Sequence, residues 1–126
     1  MEKNQRTYKA YKRGQVVYVD LGNQPHGIQS GIRPCIIISS DASNHCYGSQ
    51  ITVCPLTTRI RVKPTHVLIN NTHIEGYCLK KESNFIAENI MTISKNAVRG
   101  IVGYIKPESE IMQEINGALE VHLGMC

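Results

Sequence analysis

Carboxylates are scarce where a metal site would want them. Of the 126 residues only two are aspartates, Asp20 and Asp41, and they stand far apart. A two-metal phosphodiesterase centre needs several converging carboxylates, and that supply is thin here. No apolar run approaches the roughly 20 residues that a membrane-spanning helix requires. The first segment, MEKNQRTYKAYKRG, is polar and basic with no apolar signal-peptide core behind it, so a cytoplasmic protein is expected. The five cysteines, Cys35, Cys46, Cys54, Cys78 and Cys126, are odd in number and form no CxxC pair, which fits reduced thiols in a reducing compartment. His45 stands next to Cys46, but no second ligand pair follows at zinc spacing. No metal and no cofactor are expected. The chain also has no GxxxxGKS/T loop, no GxGxxG, no HExxH and no GxSxG, which removes the usual nucleotide-binding, zinc-protease and serine-hydrolase signatures.

What is present is an ordinary globular composition, 41% hydrophobic and 19% charged, in a chain of single-domain size. The charge is uneven. Residues 1–74 hold nine Lys/Arg against Glu2, Asp20 and Asp41, a net +6, while residues 75–126 hold five basic and seven acidic side chains, a net −2. A basic half fits a polyanionic partner, nucleic acid or an acidic protein segment, and equally a solvated basic face.

Residues 1–11 read as a flexible basic arm and 12–126 as one domain. RGQVVYVDLG, residues 13–22, reads as a strand stopped by Gly22 and Asn23. Residues 23–31, NQPHGIQSG, form a loop too long for a tight hairpin and thus a candidate functional loop. RPCIIIS is a second strand entered through Pro34, and residues 40–49 are turn-rich. QITVCPLT is a third strand, in which Pro55 favours an edge or a bulge. Residues 58–64 are a basic connection, THVLIN is a fourth strand, and further strand pieces surround FIAENIMTI. Ser94 is placed to cap a short helix, SKNAVRG, before a last strand at 101–105. Pro107 is expected to open an amphipathic helix with Glu108 and Glu110 in its first turn, an apolar face of Ile111, Ile115, Ala118, Leu119 and His122, and Gly124 at its end. Many short strands followed by one helix predict a mainly β fold, a small antiparallel barrel-like sheet covered by a C-terminal helix.

Two stretches could carry chemistry. In SGIRPCIIIS, a permanent cation stands at the mouth of a buried apolar strand. A guanidinium grips phosphate oxygens as a fork, and Pro34 stiffens its backbone; the bland alternative for Arg33 is a surface ion pair. In CPLTTRI, two adjacent hydroxyls and a cation follow an apolar strand end. Neighbouring strand side chains face opposite ways, so Thr57 and Thr58 cannot both serve one site, and alone they are simply strand-favouring residues. Metal-free cleavage is within reach for RNA, because its 2′-hydroxyl is a built-in nucleophile that the protein need only orient and activate.

The ordered set RGxVxxxDL, QSGIRPCIII, SDASN, VCPLTTRI and KPTHV, over residues 12–124, resembles the MazF/PemK family of toxin endoribonucleases. The resemblance implies a small SH3-like β-barrel with a C-terminal helix and a homodimer. It implies cleavage of single-stranded mRNA at short sequences, without metal, leaving a cyclic phosphate and a 5′-hydroxyl. Arg33 and Thr57 stand where the family's catalytic arginine and threonine stand. The loop at 23–31 matches a mobile loop over the RNA, with Gln29 as a base contact and His26, Ser30 and Gly31 beside it. Glu88 and Asn89 match a second RNA-contacting segment. The family's usual partner is an antitoxin whose acidic tail would cover the basic groove.

Around these, Thr58, Arg59, Arg61 and Lys63, with Lys12 and Arg13, are candidates for RNA backbone contact, which positions without specifying. Tyr18, Tyr47 and Tyr77 are available for base stacking. His26 titrates near neutrality and is weighed as a base, although loop histidines are mostly solvated. Two positions depart from many family members: Ile28 replaces an acidic residue before the loop glutamine, and Met91 replaces an arginine in the second segment. The competing readings are a non-hydrolytic gyrase poison of the CcdB type on the same fold, and an inactive nucleic-acid-binding barrel.

Overall fold

A computed structural model describes residues 7–76 and 79–126. Seven strands, three short 3-10 turns and one helix follow one another along the chain. The strands are β1 (Gln15–Asp20), β2 (Ile32–Ile37), β3 (Gln50–Thr57), β4 (His66–Ile69), β5 (Ser83–Ile86), β6 (Met91–Ser94) and β7 (Val98–Tyr104), and the helix is α1 (Glu110–Leu123). Every strand pair is antiparallel. The order across the sheet is β4-β5-β3-β2-β1-β7, with β6 also on β3. A single bridge between Glu75 and Tyr104 links the chain beyond β4 to β7, joining the two ends of that order. This is the expected antiparallel β fold with one C-terminal helix.

The CIIIS run is explained by burial on both faces of β2. Ile36 and Ile38 enter a core with Val16, Cys54, Leu56, Phe85 and the helix residues Ile111, Met112, Ile115, Ala118 and Leu119. Cys35 and Ile37 enter a second core with Tyr11, Val17, Val19, Ile51 and Val53. A strand buried on both sides needs no polar alternation. Each fully buried isoleucine or valine contributes about 1.5–3 kcal/mol relative to exposure.

Pro55 lies inside β3, not on an edge. On one side β3 pairs with β6 at Gln50–Val53 and with β5 at Leu56–Thr57, so Cys54 and Pro55 fall where the partner changes. A residue without an N–H fits such a gap in the ladder.

The helix begins later than its sequence promises. Ser109 is the cap, its hydroxyl accepting from the Met112 amide, and Pro107 and Glu108 lie in the preceding turn. Glu110 alone is acidic in the first turn, and Gly124 closes the helix at φ 69°. His122, placed by periodicity on the apolar face, is exposed; Met112 is buried instead. Ser94 does cap a turn, through the Asn96 amide, but only a 3-10 turn at Lys95–Ala97; β7 already begins at Val98.

Residues 8–11 are docked rather than a free arm, and residues 1–6 lie outside the described part. The Tyr8 amide donates to the Cys46 carbonyl, and Tyr11 is in the second core. Lys95 is buried, its ammonium donating to the carbonyls of Lys9, Asn44 and His45 at 2.7, 3.1 and 2.8 Å. It therefore ties three separate segments together. Burial pulls its pKa below the ordinary lysine value, against a smaller opposing pull from Cys46.

Arg13 is likewise structural. Its Nε donates to the Ile38 carbonyl at 2.7 Å and a terminal nitrogen to Asn116 Oδ1 at 2.8 Å, joining the end of β2 to the helix. Next to it Gly14 adopts φ 95°, and a Cβ there would collide with the Ile105 carbonyl. The expectation of a phosphate contact at Arg13 is thus replaced by a half-buried brace.

Candidate active site

The loop between β1 and β2 is closed at its base. Leu21 donates to the Gly31 carbonyl and Gly31 to the Gly22 carbonyl, at 2.8 and 2.9 Å. Gly31 takes φ 77°, which strains any residue with a Cβ. Inside the loop the Gln24 amide donates to the Ser30 hydroxyl, and Ile28 donates to the Pro25 carbonyl. Gln29 reaches out of the loop. Its amide donates to the Leu56 carbonyl at 3.1 Å, and its oxygen accepts from Asn89 at 3.1 Å. One side chain thus joins the loop, the end of β3 and the 3-10 turn at Ala87–Asn89.

Strand register assembles the next layer. Arg33 pairs with Val19, and Cys35 pairs with Pro55. Continuing that ladder by two residues sets Arg33 opposite Thr57. Thr57 pairs with Asn84, and Asn84 pairs with Leu68. Residues directly opposite share a face, roughly 4.8 Å apart from strand to strand. Arg33, Thr57 and Asn84 therefore form one row on the face away from α1, because their neighbours Leu56 and Phe85 are in the core beneath the helix.

Arg33 is half-buried, and its Nε donates to the Ser30 carbonyl at 2.9 Å. Among the described residues that is its one hydrogen bond, so both terminal nitrogens remain for a ligand. Thr57 Oγ1 accepts from the Arg59 amide at 3.2 Å, which leaves the hydroxyl hydrogen to donate outward.

An open cleft of about 310 Å³ lies beside this row, lined by Gln29, Thr57, Arg59, Arg61, Lys63, His66, Glu88 and Asn89, with Gly27 and Ile86. It gathers seven of the residues expected from sequence. Two polar residues that sequence reasoning missed support it. Asn84 is buried and donates to the Arg61 carbonyl at 3.0 Å, which fixes the basic connection over the cleft. The His66 ring, its side chain 6% exposed, holds Nδ1 within 3.2 Å of Asn84 and 3.1 Å of the Arg61 carbonyl, and Nε2 3.6 Å from Glu88 Oε2. Its only signal in the sequence was its place in KPTHV.

Glu88 is the one carboxylate among the cleft residues. Burial pushes its pKa up, but this is outweighed by the Thr65 hydrogen bond, a backbone hydrogen bond and the charges of His66 and His122. The net result lies below the ordinary glutamate value. The carboxylate is therefore ionised at neutral pH, among three cations.

The other expected residues fall elsewhere. Arg33 stands at the rim, and Ser30 contributes its carbonyl. His26 and Gly31 are exposed in the loop. Thr58 faces a different hollow with Tyr18, Pro34, Lys80 and Lys81, as alternation requires. Lys12 is exposed, and its amide donates to Gln15. Tyr47 is exposed beside His45 rather than at the cleft, and Tyr77 lies outside the described residues. Of the two departures, Ile28 is exposed and Met91 packs on the second core opposite Val53. Among the described residues no three His, Cys, Asp or Glu side chains converge as metal ligands would.

Known proteins share this arrangement. Residues 12–123 match the model of the PemK-like, MazF-like toxin of type II toxin–antitoxin systems. A curated relative, endoribonuclease MazF of Staphylococcus saprophyticus, is 34% identical over 116 residues, covering 90% of this chain and 92% of the relative. A solved endoribonuclease from mycobacterial species superposes with a TM-score of 0.72 at 28% identity, covering 93% of this chain and 94% of that one. A second, described as an endoribonuclease in complex with its cognate antitoxin from mycobacterial species, gives 0.74 at 30% identity, covering 93% and 98%. With this family matched over nearly the whole chain, the gyrase-poison and inactive-barrel readings lose their ground. The chain belongs to the PemK-like, MazF-like family of type II toxins.

Proposed function

We propose that this chain, an endoribonuclease toxin of the MazF type, cuts single-stranded mRNA at a short sequence without metal. The 2′-oxygen attacks the adjacent phosphorus and the 5′-oxygen leaves, giving a cyclic phosphate and a 5′-hydroxyl. The observation that carries this reading is the row of Arg33 and Thr57 on the open face, at the edge of a cleft bearing Arg59, Arg61 and Lys63. Arg33 places two free donors where charge builds on the non-bridging oxygens, and Thr57 adds a neutral donor. The cleft cations hold the RNA backbone and make affinity fall with salt. Gln29, Asn89 and the loop residues His26, Ser30 and Gly31 line the path of the bases.

The chain acts as a homodimer in the cytoplasm, as the four free described cysteines favour. No helix among the described residues is long and apolar enough to cross a membrane. Its protein partner is an antitoxin whose acidic tail competes for the same cations.

The test is incubation of the purified protein with a long RNA in EDTA, with ends mapped and Arg33→Ala alongside. Discrete cuts at one shared motif, lost in the variant, are expected. Intact RNA with well-folded protein would refute the reading.

A further inference from the structure

Attack by a 2′-hydroxyl needs an acceptor for its proton, and neither Arg33 nor Thr57 supplies one. The acidic residue that many relatives carry before the loop glutamine is absent, Ile28 standing in its place. His26 is outside the cleft. His66 lines it, but both ring nitrogens face protein groups: Nδ1 the Asn84 amide and Arg61 carbonyl, Nε2 the Glu88 carboxylate. The remaining acceptor is Glu88.

We propose that Glu88 is the general base of the cleavage reaction and that His66 is the residue that positions it. The proposal rests on the ribonuclease reading above and assigns a role within the same site. Three observations carry it. Glu88 is the one carboxylate among the residues lining the cleft, which also holds Thr57. An anion in a groove for a polyanion is repulsive unless it does work there, and Arg59, Arg61 and Lys63 compensate for it. It is also held from behind, by Thr65 and by a ring with only 6% of its side chain exposed, while its own side chain remains 39% exposed.

In this step the Glu88 carboxylate takes the 2′-hydroxyl proton as the 2′-oxygen–phosphorus bond forms. The phosphorus–5′-oxygen bond breaks, and the 5′-oxygen takes a proton from water. The resulting hydroxide recovers the proton from Glu88, so the carboxylate is regenerated. The charged and titratable groups around Glu88 are His66 on β4, His122 on α1, and Arg59, Arg61 and Lys63 from the connection before β4. All favour the ionised carboxylate when charged.

General bases typically contribute about 10²- to 10⁴-fold in rate. Glu88→Gln is expected to lower the single-turnover cleavage rate by that amount at unchanged sites, with RNA affinity retained. Glu88→Ala should regain part of its rate on adding formate, which Arg33→Ala should not. His66→Gln should cut more slowly and lose activity at a higher pH on acidification, since removing the imidazolium charge raises the Glu88 pKa. If Glu88→Gln cuts at near wild-type rate, the base assignment is wrong. Loss without formate rescue, or cuts moving to a new motif, would overturn it in favour of a carboxylate that reads a base. A wild-type protein that cuts no RNA would sink the ribonuclease reading instead, before any variant is compared.

Discussion

Arg13 and Arg33 stand at opposite ends of the β1–β2 pair, and each closes or opens its end. Arg13 uses Nε and a terminal nitrogen on Ile38 and Asn116, and a second terminal nitrogen lies 3.6 Å from Met112 Sδ. Burial pulls its pKa below the ordinary arginine value, against the pull of Asp41. Arg33 makes one hydrogen bond among the described residues, through Nε to Ser30, and faces outward at the cleft rim. The same side chain is a brace where carbonyls and an amide surround it, and a ligand grip where one anchoring bond aims it at solvent. The number of partners, more than residue type or burial, separates the two roles.

The largest effect that would break this comparison is on activity. Arg33→Ala is expected to cut RNA on the order of 10²- to 10³-fold more slowly, as for loss of a preorganised donor, with its urea midpoint unchanged. Near-normal cleavage would make Arg33 another brace. Arg13→Met should do the reverse. It strands the Ile38 carbonyl and the Asn116 amide, and is expected to cost about 2–3 kcal/mol, read as a lower urea midpoint at constant m-value. Its cleavage rate per folded molecule should stay near wild type; a collapse of that rate without loss of stability would contradict the brace. Asn116→Ala removes one of Arg13's partners and should cost about 1 kcal/mol, less than Arg13→Met.

The smallest effect is chemical. Burial pushes the thiols of Cys35 and Cys54 up to about 12, with Arg33 pulling Cys35 slightly the other way. Both should resist alkylation of the native protein at pH 8, while exposed Cys126 reacts, and both should label on unfolding. Mass spectrometry of the labelled peptides reads this directly. Labelling of native Cys35 as fast as Cys126 would mean that the Arg33 end of the pair opens in solution.

Much of the fold was legible. β3 has the bounds its sequence implied, and β1, β2 and β4 differ by one or two residues, because alternating or continuous β-branched runs between turn residues admit little else. The ends of elements were less legible. Pro107 is an acceptable first helical residue, but the Ser109 hydroxyl offers a better cap, and hydrogen bonding decided between them. His122 has the right spacing for the apolar face, yet it lies where the helix runs past the sheet. Of the candidate site, the motif residues were legible as types. Their separation into cleft, rim and neighbouring hollow was not.

By itself, the sequence determined which segments become strands, that the second strand is buried on both faces, where the charge concentrates, and which family pattern the chain carries. These follow from local propensity and side-chain chemistry. Only the tertiary structure decided which of two similar arginines is a brace, that Lys95 pins residues 8–11 to the sheet, and that Asn84 and His66 stand behind the cleft. Those roles depend on which distant carbonyls, amides and carboxylates arrive within hydrogen-bond reach. Strand register and helix docking set those distances, and the register of a strand pair is a property of two segments, written in neither alone.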